Sequence, residues 1–351
     1  MMNMPAIPVK PPVSLLAKLN DVYVFQTKAF ASDADLLTSK GEQMQQTGRT
    51  SYGELNLGLH VSDAPKQVLA NRMVLLTTID NQIQAHLLQA PQSSLTQSAS
   101  AIAQLHWVNQ VHGKQIHDID ISMDRHVTNT VNKGVNNSKA LSMRPLDADA
   151  MITQQVNVGL AIMTADCVPI VLYQATTGQI AAIHAGWQGL ACGVIKATTE
   201  RFASSDPITA WIGVCISQAN YEVDYPVLDK LMSGCVNNNL LNSTTLYQFI
   251  TLFSRPSIAD TDSPITDDLH KSIDKLSNYA TLSTDKVSAS KVKLDLPKLA
   301  ATQLDYLGIT IANEGSIACS YGDPSYYSYR RQTHLQQSAT GRMALVIVRK
   351  G

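Results

Sequence analysis

Residues 158–185 contain three apolar segments in close succession, and no other part of the chain restricts the possible folds as strongly. The segments "VGLAIMT" and "VPIVLY" are separated only by "ADC", and a Thr-Gly pair then leads to "QIAAIHA". Apolar runs of this length, bounded by turn residues, are typical of buried strands. The sequence therefore predicts core strands that are interrupted at Thr164, Asp166 and Cys167 for a reason that packing alone does not supply.

Strands and helices alternate through the rest of the chain. The pattern predicts a strand at 21–30, a loop and then a helix at 54–79, and two strands at 102–120 joined by a turn at Gly113. It then predicts a helix in "GLACGVIKATTERFA", a strand in "ITAWIGVCI", a helix at 291–309 and a final apolar strand. This alternation indicates the α/β or α+β class.

Length and charge limit the kind of protein and the kind of partner. The 351 residues suffice for one large domain or two, at about 150 residues per domain. Lys and Arg total 27 against 28 for Asp and Glu, so the formal net charge is -1. Because a large basic excess is missing, we expect neither a nucleic-acid nor a membrane partner.

Five scattered cysteines and a polar start to the sequence bear on location. The cysteines are odd in number and form no CxxC pair, which argues against a disulfide framework and favours a reducing compartment. The first 20 residues contain no apolar stretch of signal-peptide length. We therefore expect a soluble, cytoplasmic protein.

Three potential metal ligands lie at the edges of predicted elements: His112, Cys167 and His184. Two imidazoles and one thiolate suit Zn²⁺, and three protein ligands leave a fourth position for water or substrate, as in catalytic zinc sites. Copper accepts the same donors, and a cysteine nucleophile with a histidine base uses the same residue types. A buried structural cysteine and ordinary histidines are the alternative, since the spacing alone cannot show that the three meet.

Asp166 and several arginines are further candidates. Asp166 could cap a turn, or it could support a metal ligand and carry protons. A guanidinium fits phosphate or carboxylate with two parallel hydrogen bonds. The candidate arginines are Arg72, Arg330, Arg331 and Arg342. For any single one of them, a structural ion pair is the alternative.

Several motifs together resemble the YfiH family, which was earlier described as multicopper polyphenol oxidase or laccase-domain protein. The motifs are "LNLGLHVSDAPKQVLANR", "QVHG", "DADAMIT", "TADCVPIVLY", "IHAGWQGL", "IGVCI" with "YEV", and "YYSYRR" with "TGRMA". The resemblance runs from about residue 21 to 349. It implies a single mixed-sheet domain with flanking helices, a layered sandwich over 21–351 after an N-terminal extension at 1–20. Polar insertions are expected near 80–100, 122–147 and 233–290.

The resemblance also implies an activity and a set of site residues. The activity is that of a zinc-dependent purine nucleoside phosphorylase acting on adenosine, inosine and methylthioadenosine, with adenosine deaminase activity. The implied zinc ligands are His112, Cys167 and His184, which also form the catalytic site together with Asp166. The implied substrate-binding residues are Arg72 and Asn56. Gln188 and Lys28 replace arginines that are usual in the family, which leaves the substrate preference open.

Two other functions remain alternatives. One is a copper-dependent polyphenol oxidase, although the nine histidines form no HxH pair of the kind multicopper sites use. The other is a Cys–His hydrolase or amidase that edits peptidoglycan precursors. In each case we expect small-molecule substrates and a monomer or homodimer.

Overall fold

The structure is a computed structural model that describes residues 11–30, 52–89, 101–121, 145–203, 205–257 and 291–351. Most of the insertion predicted at 122–147 lies outside the described residues. The same holds for 90–100 and 258–290, which belong to the other two predicted insertions.

The described residues form strands and helices throughout. The strands are β1 Val13–Leu19, β2 Val22–Thr27, β3 Gln104–His106, β4 Ile116–Asp118, β5 Ala150–Thr153, β6 Val158–Thr164, β7 Val168–Gln174, β8 Gln179–Ala185, β9 Ile208–Ile212, β10 Glu222–Asp224, β11 Ser254–Pro256, β12 Lys291–Leu294, β13 Thr310–Ile311 and β14 Met343–Arg349. The α-helices are α1 Pro65–Gln89, α2 Trp187–Cys192, α3 Val194–Thr199, α4 Tyr225–Asn237, α5 Ser243–Tyr247, α6 Phe249–Phe253, α7 Leu296–Tyr306 and α8 Tyr329–His334.

Two mixed sheets form the centre of the molecule, which confirms the predicted α/β class. One sheet has five strands in the order β1-β2-β14-β6-β3, and the other has six in the order β13-β9-β7-β8-β5-β4. Strands β10, β12 and β11 form a third, smaller sheet in that order. Most neighbouring strands are antiparallel, but β3 runs parallel to β6, β4 to β5, and β13 to β9.

The two large sheets pack face to face with helices outside them, as the predicted layered sandwich requires. Leu160 and Ile162 of β6 pack with Val171 and Tyr173 of β7 in one apolar cluster between the sheets. The opposite face of β6 packs against α1, and the opposite face of β7 packs against α2, α3 and α7. Because both faces of these strands are covered, they are apolar along their whole length.

The interruption in the apolar run is the point where the chain leaves one sheet for the other. Strand β6 pairs with β14 and β3 in the five-stranded sheet. Strand β7 pairs with β8 and β9 in the six-stranded sheet. Residues 165–167 make the crossing, and Asp166 adopts a positive φ of 116° to do so. The two runs are therefore separate strands rather than one broken strand.

Some predicted boundaries are wrong, each for a local reason. Residues 13–19, assigned to the N-terminal extension, form an edge strand antiparallel to β2. Helix α1 continues to Gln89, well into the insertion predicted at 80–100. The helix predicted after residue 188 is split, because Gly193 takes the left-handed conformation (φ 81°) that ends one helix before the next begins.

Two further regions contain more structure than their composition indicates. Residues 291–294, predicted as helix, form the central strand of the small sheet, and α7 begins only after the side chain of Asp295 caps it. The insertion predicted at 233–290 includes the end of α4 and the short helices α5 and α6. Phe249 and Phe253 anchor α6, because both are fully buried in the core beside α7.

Within the described ranges, the structure contains no helix that combines the length and the apolar character needed to cross a bilayer.

Candidate metal and active site

Two connections and the end of one strand bring His112, Cys167 and His184 to one end of the sandwich. His112 lies between β3 and β4, Cys167 lies between β6 and β7, and His184 lies near the end of β8. The ligand atoms of the three side chains all lie within 4.8 Å of one another. The two imidazole rings meet edge to face with centroids 4.7 Å apart. The residues that the sequence selected one by one therefore form one cluster.

The carboxylate of Asp149 holds two of these three residues in place. His184 Nδ1 donates to Asp149 Oδ1 over 2.8 Å. The backbone N–H groups of His112 and Gly113 donate to Oδ1 and Oδ2 of the same carboxylate, at 2.9 and 2.6 Å. These bonds fix the connection in which His112 adopts a positive φ of 61°, a conformation that is uncommon for residues other than glycine. Asp149 thus positions both imidazoles.

Sequence reasoning missed Asp149, although it lies inside the "DADAMIT" motif. The signal that identifies it is the strand register, because β5 pairs antiparallel with β8 and Ala150 lies opposite Ile183. Asp149 and His184 are the next residues of that pairing. A histidine ligand that donates its second ring nitrogen to a carboxylate is a common arrangement in metal sites.

The charges in the cluster favour a thiolate at Cys167. Burial alone raises the pKa of Cys167, but the imidazoles of His184 and His112 outweigh it and lower the pKa to about 6. Burial alone lowers the pKa of His184, but Cys167 and Asp149 outweigh it and raise the pKa to about 9. Burial opposes ionisation of Asp149, yet hydrogen bonds from His184, Gly113 and His112 keep its pKa below the ordinary value. The thiol is therefore ionised at neutral pH.

The donor set and its exposure fit a catalytic metal. Because His184 uses Nδ1 for Asp149, its Nε2 is the nitrogen that points to the other ligands. His184 is 3% exposed, whereas Cys167 is partly buried and His112 is exposed. One side of the cluster is therefore open, as a metal that binds substrate requires.

A cavity of about 260 Å³ lies on this open side. Its walls, besides His112 and Cys167, are Asp166, Trp187, Gln188, Ile216, Tyr221 and Leu296. Aromatic, apolar and carboxylate groups thus surround the cluster. A larger groove of about 590 Å³ runs along α1 beside Met73 and Thr77, but no titratable side chain lines it. Of these two cavities, only the smaller one is lined by titratable side chains.

Asp166 lines the cavity, but its hydrogen bonds lead away from the metal ligands. Ser320 Oγ donates to Oδ1 and the backbone N–H of Arg330 donates to Oδ2, both at 2.7 Å. Burial raises the pKa of Asp166 above the ordinary value against the opposing effect of these donors. The expected support of a metal ligand is thus provided by Asp149 instead. Proton transfer by Asp166 stays a prediction.

Arg72 and Asn56, the predicted substrate residues, both hold the segment at 56–60. Arg72 donates from Nε and Nη2 to the carbonyl of Leu57, and its Cζ lies 4.1 Å from the ring centre of Trp107. Asn56 is 1% exposed and accepts hydrogen bonds from the backbone of Gly58 and Arg342. Neither residue lines the cavity of 260 Å³. Direct substrate contact by either residue stays a prediction.

Arg330 and Arg331 differ in the number of hydrogen bonds that their side chains donate. Arg331 donates to the carbonyls of Ser320, Tyr321, Asp323 and Tyr326. Arg330 donates to the carbonyl of Glu222 and its guanidinium lies over the Tyr221 ring. Arg331 is therefore a structural residue, whereas Arg330 contacts the ring of Tyr221, which lines the cavity.

Comparisons with known proteins identify the family to which this fold belongs. The family model described as multi-copper polyphenol oxidoreductase laccase matches residues 84–248 and 241–350. A protein of Pseudomonas aeruginosa named purine nucleoside phosphorylase is 25% identical over 298 residues, which are 84% of this chain and 86% of the relative. The purine nucleoside phosphorylase YfiH of Escherichia coli is 28% identical over 183 residues, or 52% of this chain and 59% of that relative.

A solved structure supports the fold alone. The Neisseria meningitidis protein of the DUF152 family superimposes with a TM-score of 0.59 at 22% identity. The superposition covers 97% of this chain and 100% of that chain.

Proposed function

The chain belongs to the family described as multi-copper polyphenol oxidoreductase laccase, which includes the YfiH proteins, and we propose that it is a zinc-dependent purine nucleoside phosphorylase with adenosine deaminase activity. The observation that carries the proposal is the cluster of His112, Cys167 and His184 at an open cavity. The names of the relatives from P. aeruginosa and E. coli support it. Adenosine, inosine and methylthioadenosine are the proposed nucleosides.

The three side chains would hold the ion, and Asp149 would orient the two imidazoles. When bound, zinc supplies a Lewis acid and lowers the pKa of water toward neutrality. In phosphorolysis, a phosphate oxygen attacks C1′ of the ribose as the bond from C1′ to the base nitrogen breaks. The base leaves with the electron pair and takes up the proton that hydrogen phosphate gives up.

Asp166 is the proposed carrier of that proton. It lines the cavity, and burial raises its pKa above the ordinary value of a carboxyl group. A carboxyl group with a raised pKa donates and accepts protons more evenly at neutral pH. In deamination, water replaces the amino group at C6 of adenosine to give inosine and ammonia. Asp166 would carry the proton to the leaving amine in that reaction.

A hydrolase with a cysteine nucleophile is the second candidate function. The pKa of Cys167, lowered to about 6 by the imidazoles against the effect of burial, favours it. His112 Nε2 lies 3.9 Å from Cys167 Sγ and could act as the base. Such an enzyme needs no metal, so its activity would survive chelation.

One purified sample tests the proposal. We would measure metal content and the release of free base from adenosine, inosine and methylthioadenosine with and without phosphate. The expected result is about one zinc per chain and base release that requires phosphate and is lost on chelation. Cys167→Ala should lose zinc and both activities, whereas Cys192→Ala is the matched control on the neighbouring helix.

Other outcomes would decide between the alternatives. Bound copper together with oxygen uptake on a phenol would replace the proposal with an oxidase. Hydrolysis that continues after chelation would replace it with the cysteine hydrolase. The cytoplasmic location and the monomeric or homodimeric state stay predictions.

A further inference from the structure

Two of the five cysteines, Cys215 and Cys319, lie side by side where two segments of the chain meet. They pair in an isolated parallel β-bridge, and the backbone N–H of Ser320 donates to the Cys215 carbonyl at 2.9 Å. Neighbouring strands lie ~4.8 Å apart, and the Cα atoms of a disulfide lie about 4.4–6.8 Å apart. Because paired residues have their side chains on the same face, this backbone allows a bond between the two sulfurs.

The sulfur of Cys319 accepts hydrogen bonds from three residues around it. The hydroxyl and the backbone N–H of Ser217 donate to Sγ at 3.1 and 3.3 Å, and the Asn220 amide and the Gly322 N–H each donate at 3.4 Å. Hydrogen bonds to the charged form of a group favour that form. Burial alone raises the pKa of Cys319, but these donors outweigh burial and keep it below the ordinary value. A thiolate is therefore stabilised on a cysteine that is partly exposed.

Cys215 has the opposite environment. It is 1% exposed and lies in the same apolar cluster as Leu228 and Leu296. Burial raises its pKa, and the neighbouring Cys319 raises it further. The thiol of Cys215 therefore keeps its proton at neutral pH and is shielded from solutes. An accessible thiolate beside a second cysteine that can form a disulfide with it is the arrangement of redox-sensitive cysteines.

The other three cysteines, all of which the structure describes, lack this combination. Cys192 donates its S–H to the Gly189 carbonyl at 3.5 Å, and burial raises its pKa. Burial raises the pKa of Cys235 to about 12. Cys167 belongs to the metal cluster. Outside that cluster, Cys319 is thus the cysteine whose surroundings favour the reactive thiolate form.

We infer that Cys319 and Cys215 form an oxidisable dithiol that reacts with hydroperoxides. The Cys319 thiolate attacks a peroxide oxygen, so that an S–O bond forms as the O–O bond breaks, and the leaving hydroxide or alkoxide takes a proton from water. The sulfur of Cys215 then attacks the sulfenic sulfur of Cys319. The S–S bond forms as the S–O bond breaks, and hydroxide leaves as water with the proton of Cys215. The two thiols thereby lose two electrons to the peroxide.

The dithiol lies directly behind the wall of the cavity beside the metal cluster. Ile216, which follows Cys215, lines that cavity. Ser320, which follows Cys319, donates to Asp166 on the same wall at 2.7 Å. Oxidation would therefore link covalently the two segments that carry these residues. The inference is independent of the proposed phosphorolysis, because the reaction needs neither a metal nor a nucleoside.

Peptide mapping of the purified full-length protein after brief exposure to hydrogen peroxide tests the dithiol. Trypsin places the two cysteines in separate peptides, 202–230 and 299–330, each of which contains one cysteine. The expected product is a disulfide that joins these two peptides, and dithiothreitol should separate them again. Cys319→Ala should abolish the link and leave Cys215 unmodified. Cys192→Ala is the matched control at another partly buried cysteine, and its link should form at the wild-type rate.

Cys215→Ala isolates the first step of the reaction. Without the second thiol, Cys319 should remain a sulfenic acid, and dimedone should label it ~10-fold more than Cys192. If Cys215→Ala does not fold, dimedone added to the wild type during the reaction traps the same intermediate. Wild-type peptides that stay unlinked, or a link between other cysteines, would overturn the pair. Equal labelling of Cys319 and Cys192 would likewise overturn the role assigned to Cys319.

Discussion

Asp149 lies opposite His184 across two antiparallel strands, and its Oδ1 accepts a hydrogen bond from His184 Nδ1 over 2.8 Å. The same carboxylate accepts the backbone N–H groups of His112 and Gly113. One side chain therefore controls the ring orientation of one metal ligand and the backbone path of another. Its contribution to metal binding follows from this geometry, because its three hydrogen bonds hold one ligand ring and the backbone of a second ligand.

Asp149→Asn should weaken zinc binding while leaving the protein folded. The carboxylate accepts three hydrogen bonds, whereas an amide has one acceptor atom and one NH₂ group that cannot accept. At least one of the three donors must then face another donor. Loss of such a partner reduces metal affinity by roughly 10–100-fold, which competition with a zinc-binding dye would measure.

The control for this substitution is Asp147→Asn, two residues earlier in the same motif. Asp147 is exposed and accepts a hydrogen bond from Asn109 rather than from a metal ligand. Its substitution should leave zinc affinity unchanged. Equal affinity in Asp149→Asn and the wild type would show that the carboxylate does not position the ligands.

Gly186→Ala should disturb the metal site without disturbing the fold. A Cβ at Gly186 would lie 3.1 Å from Cys167 Sγ and 3.1 Å from His112 Cδ2. The backbone there has φ -70° and ψ 175°, which alanine adopts without strain. The added methyl group therefore pushes two ligands apart, and we expect lower zinc content with an unchanged melting temperature of the metal-free protein.

Gly322→Ala is the matched control, because the nearest atom to its added Cβ, Cys319 Cβ, lies 3.7 Å away. Zinc content and activity should match the wild type in this variant. Full zinc loading of Gly186→Ala with wild-type activity would contradict the close packing that the structure describes.

Cys167 should react with iodoacetamide as a thiolate at neutral pH once the metal is chelated. Burial alone raises its pKa, but His184 and His112 lower it to about 6. Because the thiolate is the nucleophile, the alkylation rate should rise through about pH 6 and level off above pH 7. Mass spectrometry of the peptide that contains Cys167 would measure the rate of alkylation. Bound zinc should protect Cys167 from the reagent.

Cys235 serves as an internal reference in the same digest. Burial raises its pKa to about 12, so it should stay unmodified over the same pH range. A Cys167 rate that keeps rising through pH 8 and 9 would mean that the imidazoles do not stabilise the thiolate. The prediction would then be wrong, whatever the metal content.

The sequence identified the candidate metal ligands but did not show that they meet in space. His112, Cys167 and His184 stood out because each chemically active residue lies where a predicted strand ends. Cys167 and His112 are 55 residues apart in the chain, however. Only the pairing of strands brings Cys167 Sγ to 3.9 Å from His112 Nε2. Asp149 was missed for the same reason, because its partner is set by the register between β5 and β8.

The class of the fold followed from local patterns, whereas its division into sheets did not. Strands β6 and β7 are equally apolar, so nothing in their residues shows that they belong to different sheets. The change of sheet occurs at Asp166, which has a positive φ. An aspartate in the sequence does not by itself predict that conformation. The sequence predicts helix for strand β12, because its four residues lie directly before the helical pattern of α7.

Asn56→Ala should destabilise the protein and displace Arg342. Asn56 is 1% exposed, and its amide donates to Asp63 at 2.8 Å while accepting from the backbone of Gly58 at 3.0 Å and of Arg342 at 2.9 Å. Alanine leaves the two backbone N–H groups without this acceptor, at a cost of about 1–3 kcal/mol for a buried unsatisfied group. Urea unfolding would measure the loss, and Asn109→Ala, at an exposed position, should change stability by less than about 0.5 kcal/mol. Unchanged stability combined with a raised KM for the nucleoside alone would instead assign Asn56 to direct substrate contact.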